Sequence, residues 1–484
     1  MVSFSPIARV IGVTLLLLGG LMLTCLPASY YYQDGEAGPI ALSALICILF
    51  GAPPMLLFKS RHGKGVNKRE GYLIVSLGWL AMSLFGMLPF IFSGVLPNVA
   101  DAFFETASGL TTTGASVITD IEGTPEGILL WRSLTHWIGG MGIIVLTVAL
   151  FPLLGIGGIE LFVAEAPGPT ADKVHPRIRE TAKRLWLIYV ALTGLLTLLL
   201  WAEGMTFFDA INHSMATMAT GGFSTKNASI AYYTSPLIQY TLILFMFIAG
   251  VNYTVIYYGL KGKFKKVWSS DEFRAYLMLM LLLAVIITIG VNQVKDQPLE
   301  QSFRDGLFQL VSVITTTGFI TADYTTWSPG LTMLFFVLLF IGACAGSTAG
   351  GIKIIRHLVF FRNSFLEFKR LIHPRAIVPI KLNGEVVAGR ILIHIFIFLL
   401  LYLILFVAGS LVLSLMGVDF LTSIGAVASC LGNVGPGIGN VGPVSNYAAL
   451  SGEVKWVLSF LMLLGRLEIF TILVLFTPYF WKSN

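Results

Sequence analysis

Thr111-Thr112-Thr113-Gly114-Ala115-Ser116 is a short, uncharged stretch that follows the apolar segment Ala102 to Leu110 and the acidic residue Asp101. The same arrangement occurs three more times. The later copies begin after Asp209, Asp305 and Asp419, and they end in Ala219-Thr220-Gly221-Gly222-Phe223, Thr315-Thr316-Thr317-Gly318-Phe319 and Asn433-Val434-Gly435-Pro436-Gly437. Aligned on Gly114, Gly221, Gly318 and Gly435, the copies lie roughly 100 residues apart, so each belongs to a whole structural unit.

The composition excludes a water-soluble protein. Of the 484 residues, 56% are hydrophobic and only 12% are charged, with a mean hydropathy of +0.83. A soluble domain carries roughly 25% charged residues. Because the apolar runs are long and do not alternate with polar residues, they predict membrane-spanning helices rather than barrel strands.

The cysteines and the net charge point to no further chemistry. Cys25, Cys47, Cys344 and Cys430 lie in apolar or small-residue runs without metal-ligand spacing, which predicts packed thiols. The formal charge of +6 comes from basic residues in short loops between apolar runs. That distribution is the positive-inside pattern of a membrane protein, and it does not indicate nucleic-acid binding.

The chain is predicted to open with a helical hairpin, followed by four repeats. Each repeat has one span, a half-helix of about ten residues and a returning span. Ten residues at 1.5 Å each cannot cross a hydrocarbon core of about 30 Å, so the half-helix is re-entrant. The predicted spans are Ile7 to Leu26 and Pro39 to Phe58 in the hairpin, then Gly71 to Phe92 and Trp131 to Leu154, Leu185 to Trp201 and Pro236 to Leu260, Tyr276 to Val291 and Leu331 to about Phe361, and Ile391 to Met416 and Val454 to Phe480.

The basic loops give these ten spans an orientation. The basic residues occur in the loop at 59–69, in the mixed-charge loop at 160–184 and at the ends of the second, third and fourth repeats. All fall on one side, which predicts cytoplasmic N- and C-termini. The predicted units are 1–69 (hairpin and basic loop), 70–184, 185–271, 272–387 and 388–484 (the four repeats).

Four non-helical stretches at membrane depth need a shared polar axis. Such backbone is tolerated only where it is buried in protein or lines a wet cavity. Around a pseudo-fourfold axis, the stretches would present rings of carbonyl oxygens that can replace the hydration shell of a monovalent cation. The fold class is therefore an all-α integral membrane protein with a pseudo-fourfold pore.

The four aspartates allow two interpretations, which are compatible. Asp101, Asp209, Asp305 and Asp419 can cap or charge the N-termini of the half-helices. They can also concentrate cations at the outer mouth.

Four T-x-G-like stretches in register between equivalent helices resemble the Trk/Ktr/HKT superfamily of potassium transporters. The N-terminal hairpin and the length favour its bacterial TrkH/TrkG branch. The resemblance covers essentially the whole chain and implies a potassium filter formed by Thr112, Thr113, Gly114, Ala219, Thr220, Gly221, Thr316, Thr317, Gly318, Asn433, Val434 and Gly435. In that family, glycine at all four positions goes with potassium, and serine at the first goes with sodium. Ala219 and Asn433-Val434 depart from fourfold symmetry, which by analogy predicts weaker discrimination against sodium or rubidium.

Two further features are candidates for a gate. The ten small residues Gly342 to Gly351 break helical propensity. They indicate either close helix packing or an unwound loop in the pore, and the resemblance favours the loop, with Gly346, Gly350 and Gly351 in it. Arg466 lies within the last predicted span, where it can form a structural ion pair or an electrostatic barrier. The family carries an arginine here that projects into the permeation path.

The sequence thus predicts a potassium uptake pore of the bacterial inner membrane and no enzyme. The resemblance also implies a homodimer and a cytosolic nucleotide-binding partner of TrkA type, with no nucleotide site on this chain. One alternative is a K⁺/H⁺ or K⁺/Na⁺ symporter, for which Glu105 and Glu468 are the candidate carboxylates. A more distant alternative is a secondary transporter of an organic solute, but that class has inverted repeats and these share one orientation.

Overall fold

The computed structural model describes residues 3–58, 67–142, 178–373 and 378–482. These residues form helices almost throughout. Within them, the strands are two short ones, Lys381–Leu382 and Glu385–Val386, paired as an antiparallel hairpin. The predicted all-α class is confirmed.

The N-terminal hairpin is built from helices Phe4–Leu23, Leu26–Tyr32 and Ala37–Leu57. Its two long helices approach closely at Gly12 and Gly51. A Cβ atom on Gly12 would lie 2.6 Å from the carbonyl oxygen of Gly51, so only glycine permits this contact. Asp34, in the turn of the hairpin, accepts a hydrogen bond of 2.7 Å from the backbone N–H of Gly127 and so attaches the hairpin to the first repeat.

Each repeat begins with a long helix followed by a short, buried one. The first helices are Lys68–Gly86 with Leu88–Phe92, Ile178–Ala202, Asp271–Val294 and Gly389–Leu415. The short ones, half-helices 1 to 4, are Val99–Leu110, Phe207–Met218, Leu299–Ile314 and Phe420–Gly432. They have 12 to 16 residues, and their C-terminal halves are almost wholly buried, as expected for re-entrant segments.

The returning span of each repeat is broken, whereas the sequence predicted a break only in the third. In the first repeat, Glu126–Trp137 runs into a π-helical turn, Ile138–Gly142, with a kink at Gly140. In the second, Pro236–Ala249 and Tyr253–Leu260 meet at 108°, and in the fourth, Gly452–Arg466 and Phe470–Phe476 meet at 107°. In the third, residues 339–353 separate Pro329–Leu338 from Ile354–Ile372. We call residues 339–353 the intramembrane loop.

Because of these breaks, fewer uninterrupted helices among the described residues are long enough to span a membrane than the ten spans predicted. By length and composition, six described helices can cross a membrane, and eight can if each bent pair counts as one span. The predicted span Trp131 to Leu154 lies partly outside the described residues, as do the basic loop at 59–66 and most of the loop at 160–184. The predicted span Leu331 to Phe361 is two helices around the intramembrane loop.

Short helices complete the described chain. They are Phe264–Trp268 and Pro478–Trp481, with 3-10 turns at Ser229–Tyr232, Tyr324–Thr326, Gly439–Val441 and Val474–Phe476.

Candidate permeation site

The four Thr-Gly stretches share one unusual backbone conformation. One residue just beyond the end of each half-helix has a left-handed backbone: φ is 54° at Thr112, 53° at Thr220, 54° at Thr316 and 53° at Asn433. Two residues later comes a glycine with φ of 81° at Gly114, 81° at Gly222, 80° at Gly318 and 99° at Gly435. Side chains disfavour this region, and at the second position a Cβ atom would also collide with neighbouring backbone, so the two constraints together require glycine there.

This conformation corrects the alignment of the second repeat by one residue. The structural equivalents of Thr112, Thr113 and Gly114 are Thr220, Gly221 and Gly222, so Ala219 belongs to the end of half-helix 2. One backbone hydrogen bond confirms the register. It runs from Thr113 to Ser108, Gly221 to Ala216, Thr317 to Ser312 and Val434 to Ser429, at 2.8, 2.8, 2.8 and 3.0 Å. The adjacent glycines Gly221 and Gly222 made the shifted alignment possible.

The four stretches, here called filter segments 1 to 4 (111–114, 219–222, 315–318 and 432–435), close into a ring. A Cβ atom on Gly114 would collide with the carbonyl oxygen of Gly221. The same holds around the ring for Gly222 with Thr317, Gly318 with Val434, and Gly435 with Thr113. Each glycine thus lies against the backbone of the next repeat, and the fourth lies against the first.

Several carbonyl oxygens in this ring receive no hydrogen bond from the residues that the structure describes. Those of Thr112, Thr113, Thr220, Thr316, Thr317, Asn433 and Val434 accept no hydrogen bond from the described part of the chain. All seven residues are fully buried. More than 90% of buried backbone carbonyls are paired in native structures, so a group of seven such oxygens is unusual, and it has the chemistry that can coordinate a cation.

Filter segment 4 differs from the other three. The side-chain amide of Asn433 donates to the hydroxyl of Thr113 and to the carbonyl of Met462, at 3.0 Å each. The carbonyl of Gly435 accepts from Ser429 Oγ at 2.6 Å and Tyr447 Oη at 2.8 Å. That carbonyl is satisfied by the protein, so Gly435 contributes its conformation rather than a free oxygen.

A buried ion pair binds the residues that follow filter segments 1 and 2. Arg132 Nε lies 2.6 Å from Glu105 Oε1, and both side chains are almost completely buried. Glu105 also accepts from Ser116 Oγ at 2.9 Å and Val117 N at 2.8 Å. Arg132 donates to the carbonyl of Ser224 at 2.9 Å. Glu105, one candidate for proton coupling, is therefore already held by a cation, and Arg132 was missed because its partner is distant in sequence.

His136 also supports the segments. Its Nδ1 lies 2.7 Å from the carbonyl oxygen of Gly109, and its ring stacks on Phe223 with centroids 3.9 Å apart. The imidazole fills the space beside Gly221, where a Cβ atom would collide with it. The histidine thus packs against the junction of segments 1 and 2.

The four aspartates do not occupy equivalent positions. Asp419 caps half-helix 4, accepting from the backbone N–H of Thr422 at 3.0 Å. Asp101 and Asp209 lie in the first turn of their half-helices. Asp305 lies deeper in half-helix 3, 3.4 Å from Gln297 Nε2. Asp101 pairs with Lys455 at 2.6 Å and Asp209 lies 3.8 Å from Lys226, so cations already neutralise these two carboxylates.

A cavity of about 220 Å³ reaches the ring from one side. Its floor contains Gly114, Gly222, Gly318 and Gly435, and its wall includes Lys226 and Tyr447. The four aspartates are absent from its described lining. The cation-concentrating interpretation therefore gains no geometric support.

On the opposite side of the ring, the intramembrane loop touches filter segments 2, 3 and 4. The N–H of Gly350 donates to Thr316 Oγ1 at 2.7 Å, and Thr220 Oγ1 donates to Thr348 Oγ1 at 3.3 Å. Thr348 Oγ1 in turn donates to the carbonyl of Met218, at the end of half-helix 2, at 3.0 Å. A Cβ atom on Gly350 would be 2.7 Å from Asn433 Cβ. Gly346 and Gly351 have φ of 71° and 66°, which the turns of the loop require.

Arg466 joins this loop to the break in the first repeat. Its guanidinium donates to the carbonyl of Thr348 at 2.8 Å, to that of Gly140 at 3.0 Å and to that of Gly139. It is the last residue of its helix, whereas Glu468 lies in the break and pairs with Arg356. Arg466 therefore lies beneath the ring, and Glu468, the other candidate for proton coupling, already has a cationic partner.

Fold and site together define a class: a multi-span membrane protein whose four re-entrant segments form one ring of carbonyl oxygens, with a loop and an arginine beneath it. A family model described as "TrkH: Cation transport protein" matches residues 39–483, and the chain belongs to this family.

Similar proteins cover the full length of the chain. It is 43% identical over 487 residues to a protein of Salmonella typhimurium named "Trk system potassium uptake protein TrkH", covering 99% of this chain and all of that one. It is 36% identical to the Escherichia coli protein named "Trk system potassium uptake protein TrkG", over 96% of this chain and 95% of the relative. The crystal structure of the potassium transporter TrkH from Vibrio parahaemolyticus superposes with a TM-score of 0.89 at 39% identity, covering 99% of this chain and all of that one.

Proposed function

We propose that this chain conducts dehydrated potassium ions inward through the ring of filter segments. The seven buried carbonyl oxygens without protein donors carry this proposal, since a monovalent cation is the ligand that such a ring takes in place of water. Membership of a family whose relatives are named potassium uptake proteins supports the choice of potassium. Thr112, Thr113, Thr220, Gly221, Thr316, Thr317, Asn433 and Val434 form the ion path, with glycines Gly114, Gly222, Gly318 and Gly435 setting its shape.

The driving force in this proposal is the membrane potential. It supplies about 2.3 kcal/mol per charge per 100 mV. The pairing of Glu105 with Arg132 and of Glu468 with Arg356 favours this over proton coupling, because neither carboxylate is left as a proton acceptor on the path.

Tracer rubidium uptake into liposomes containing the purified protein tests this function. Uptake driven by potential alone, blocked strongly by potassium and weakly by sodium, is the expected result. A requirement for an imposed proton or sodium gradient would favour the symporter instead. Absence of uptake in both the native protein and the Arg466 variant below would contradict the proposal.

In the same proposal, the intramembrane loop and Arg466 close the path from below. The loop backbone contacts the Thr316 hydroxyl, and the guanidinium holds the loop by the carbonyl of Thr348. A positive charge beneath the ring also repels a cation leaving it. Both effects act on the ion after it has passed the filter.

Replacing Arg466 by Ala is expected to raise rubidium flux about tenfold, equivalent to about 1.4 kcal/mol in the barrier. The reason is that the variant loses the positive charge and the contacts to the intramembrane loop and to the break in the first repeat. Arg466→Lys keeps the charge but cannot bind the loop and the first-repeat break at the same time, so it separates charge repulsion from the loss of these contacts. Equal flux in the native protein and the Ala variant would sink the barrier role.

The biological setting extends the proposal. We place the protein in the bacterial inner membrane with both termini in the cytoplasm, as a homodimer with one pore per protomer. A cytosolic nucleotide-binding protein of TrkA type would act on the basic loops. The positive-inside pattern and the TrkH resemblance support this setting, and light scattering of the purified protein with and without the partner would test the assembly.

A further inference from the structure

The intramembrane loop is held at its neck by one buried carboxylate. Glu272 Oε1 accepts hydrogen bonds from the backbone N–H of Ala345 at 2.7 Å and of Ile355 at 3.2 Å. The two donors flank residues 346–354, which include Thr348 and Gly350 against the filter. A carboxylate that binds both sides of a loop holds them together with charge-assisted hydrogen bonds.

The residue before Glu272 is attached to the strand hairpin of residues 381–386. Asp271 N donates to Asn383 Oδ1 at 2.7 Å, and Asn383 N donates to Asp271 Oδ2 at 3.1 Å. Arg362 binds both sides, contacting Asp271 Oδ2 at 2.6 Å and the carbonyl of Lys381 at 2.7 Å. The first turn of helix Asp271–Val294 therefore contacts the hairpin through one residue and the loop through the next.

The turn of the hairpin has a defined shape. Asn383 and Gly384 have φ of 52° and 87°, as in the two-residue Asn-Gly turns that join short antiparallel strands. This shape presents Asn383 to the helix start. The attachment is thus made by a rigid turn and not by a flexible side chain alone.

A second contact links the same parts independently. Leu382 of the hairpin is 7% exposed and packs in a small apolar cluster. That cluster contains Ala345 and Ile355, the two residues whose N–H groups bind Glu272. The hairpin and the neck of the loop thus share one apolar cluster, in addition to the link through Asp271.

We propose that Glu272 is a positioning residue for the intramembrane loop, and that the hairpin of residues 381–386 holds the loop against the filter through Asp271 and Leu382. Displacing the hairpin then releases the loop. The loop's role as a gate rests on the proposed function, but its attachment does not.

Cys344 is a native reporter of the attachment. It precedes Ala345 in the loop and is 1% exposed, so a released loop would expose its thiol. We would replace the other three cysteines by serine and measure the rate at which a small methanethiosulfonate reagent modifies Cys344 in the full chain. Glu272→Leu removes the acceptor and Leu382→Ser removes the apolar contact. Each is expected to raise the rate about tenfold.

Matched variants keep the test specific. Glu272→Gln retains an acceptor oxygen, and Lys381→Ser changes an exposed neighbour of Leu382; both are expected to stay near the native rate. Glu70→Leu removes another buried helix-start carboxylate, which accepts from Ser3 N at 2.9 Å and Asn67 N at 3.0 Å, away from the loop. A Cys47-only version of each variant reports general unfolding, and Leu382→Ser remains decisive if Glu272→Leu does not fold.

The outcomes separate this inference from the proposed function. Faster modification of Cys344 in Glu272→Leu and Leu382→Ser, with Cys47 protected, supports the attachment. Native rates in both variants would overturn it. Rubidium flux is measured on the same samples. If Cys344 becomes exposed while rubidium flux stays unchanged, the attachment is supported but the loop is not the gate.

Discussion

Four glycines with positive φ lie against carbonyl oxygens of the neighbouring repeat, and this contact leaves no room for a side chain. At Gly222, the obstacle is the carbonyl of Thr317. Because that obstacle is backbone, it cannot rotate away as a side chain would. A methyl group there must displace one oxygen of the proposed ion path.

Gly222→Ala is therefore expected to lower the preference for potassium over sodium about tenfold, or about 1.4 kcal/mol. Rubidium uptake with competing sodium measures the change. Gly94→Ala is the control, because Gly94 has φ of 74° and its added Cβ atom would have no described atom within 4 Å, so it adds backbone strain without a collision. Equal loss of selectivity in both variants would attribute the effect to strain and contradict the role of the ring.

The sequence predicted three of the four filter segments in register and shifted the second. Thr-Thr-Gly stretches align by inspection, but Ala219-Thr220-Gly221-Gly222 offers two glycines. Only the end of half-helix 2 at Met218 decides between them. The pair of Glu105 and Arg132 was not predictable either, because 27 residues separate the partners and no local pattern joins them.

Among the elements, half-helix 4 begins with a side-chain cap that the other acidic residues do not provide. Asp419 is exposed, and hydrogen bonds from Thr422 hold the pKa of its carboxyl below the ordinary value. A lowered pKa means that the carboxylate stabilises the fold at neutral pH. That stabilisation is lost as the pH falls through the folded-state pKa.

Asp419→Ala is expected to lower the free energy of unfolding by about 1 kcal/mol, whereas Asp419→Asn, also a good cap, should match the native protein at pH 7. Below about pH 4, the native protein should become less stable than the Asn variant. Thermal unfolding in detergent, followed by intrinsic fluorescence, measures both differences. Equal thermal stability of the native protein and the Asn variant at low pH would exclude this linkage.

The ion pair between half-helix 1 and the helix Glu126–Trp137 stabilises two elements at once. Glu105→Leu would leave Arg132 buried without its partner, which costs about 3–5 kcal/mol in comparable sites. Adding Arg132→Met should recover part of the loss in apparent Tm. The surface pair Arg370 and Glu367 provides the control, since Glu367→Gln should change stability by less than about 1 kcal/mol. Similar losses in both single variants would argue against a special role for the buried pair.

The broken spans show what composition can and cannot predict. Ten consecutive small residues revealed the break in the third repeat. In the second repeat the break contains one glycine, Gly250, beside Val251 and Asn252. In the fourth, Glu468 and Ile469 take positive φ without any glycine. Contacts beneath the ring, such as those of Arg466 and Glu468, accompany this conformation, and such contacts leave no mark in the local sequence.

At the scale of the whole molecule, the proposed orientation assigns opposite sides of the membrane to two exposed residues. Lys263 lies in the basic segment at the end of the second repeat, and Asn227 lines the cavity that reaches the ring. Cysteine placed at 263 should react with a membrane-impermeant reagent only from the cytoplasmic side, and cysteine at 227 only from outside. The four native cysteines are buried and can be replaced by serine for this test. Labelling of both positions from one side would refute the topology.

The last join in the ring also bears on how the protein is made. Asn433 of filter segment 4 contacts Thr113 of filter segment 1, 320 residues earlier in the chain. The ring therefore lacks one of its four segments until nearly the entire chain has been synthesised. Because synthesis proceeds from the N-terminus, filter segment 1 is made before filter segment 4, its neighbour in the ring. An unfinished or prematurely terminated chain therefore has no complete coordination shell to offer an ion. Truncated chains from interrupted translation should therefore not conduct ions, and they should not dissipate the membrane potential before they are degraded.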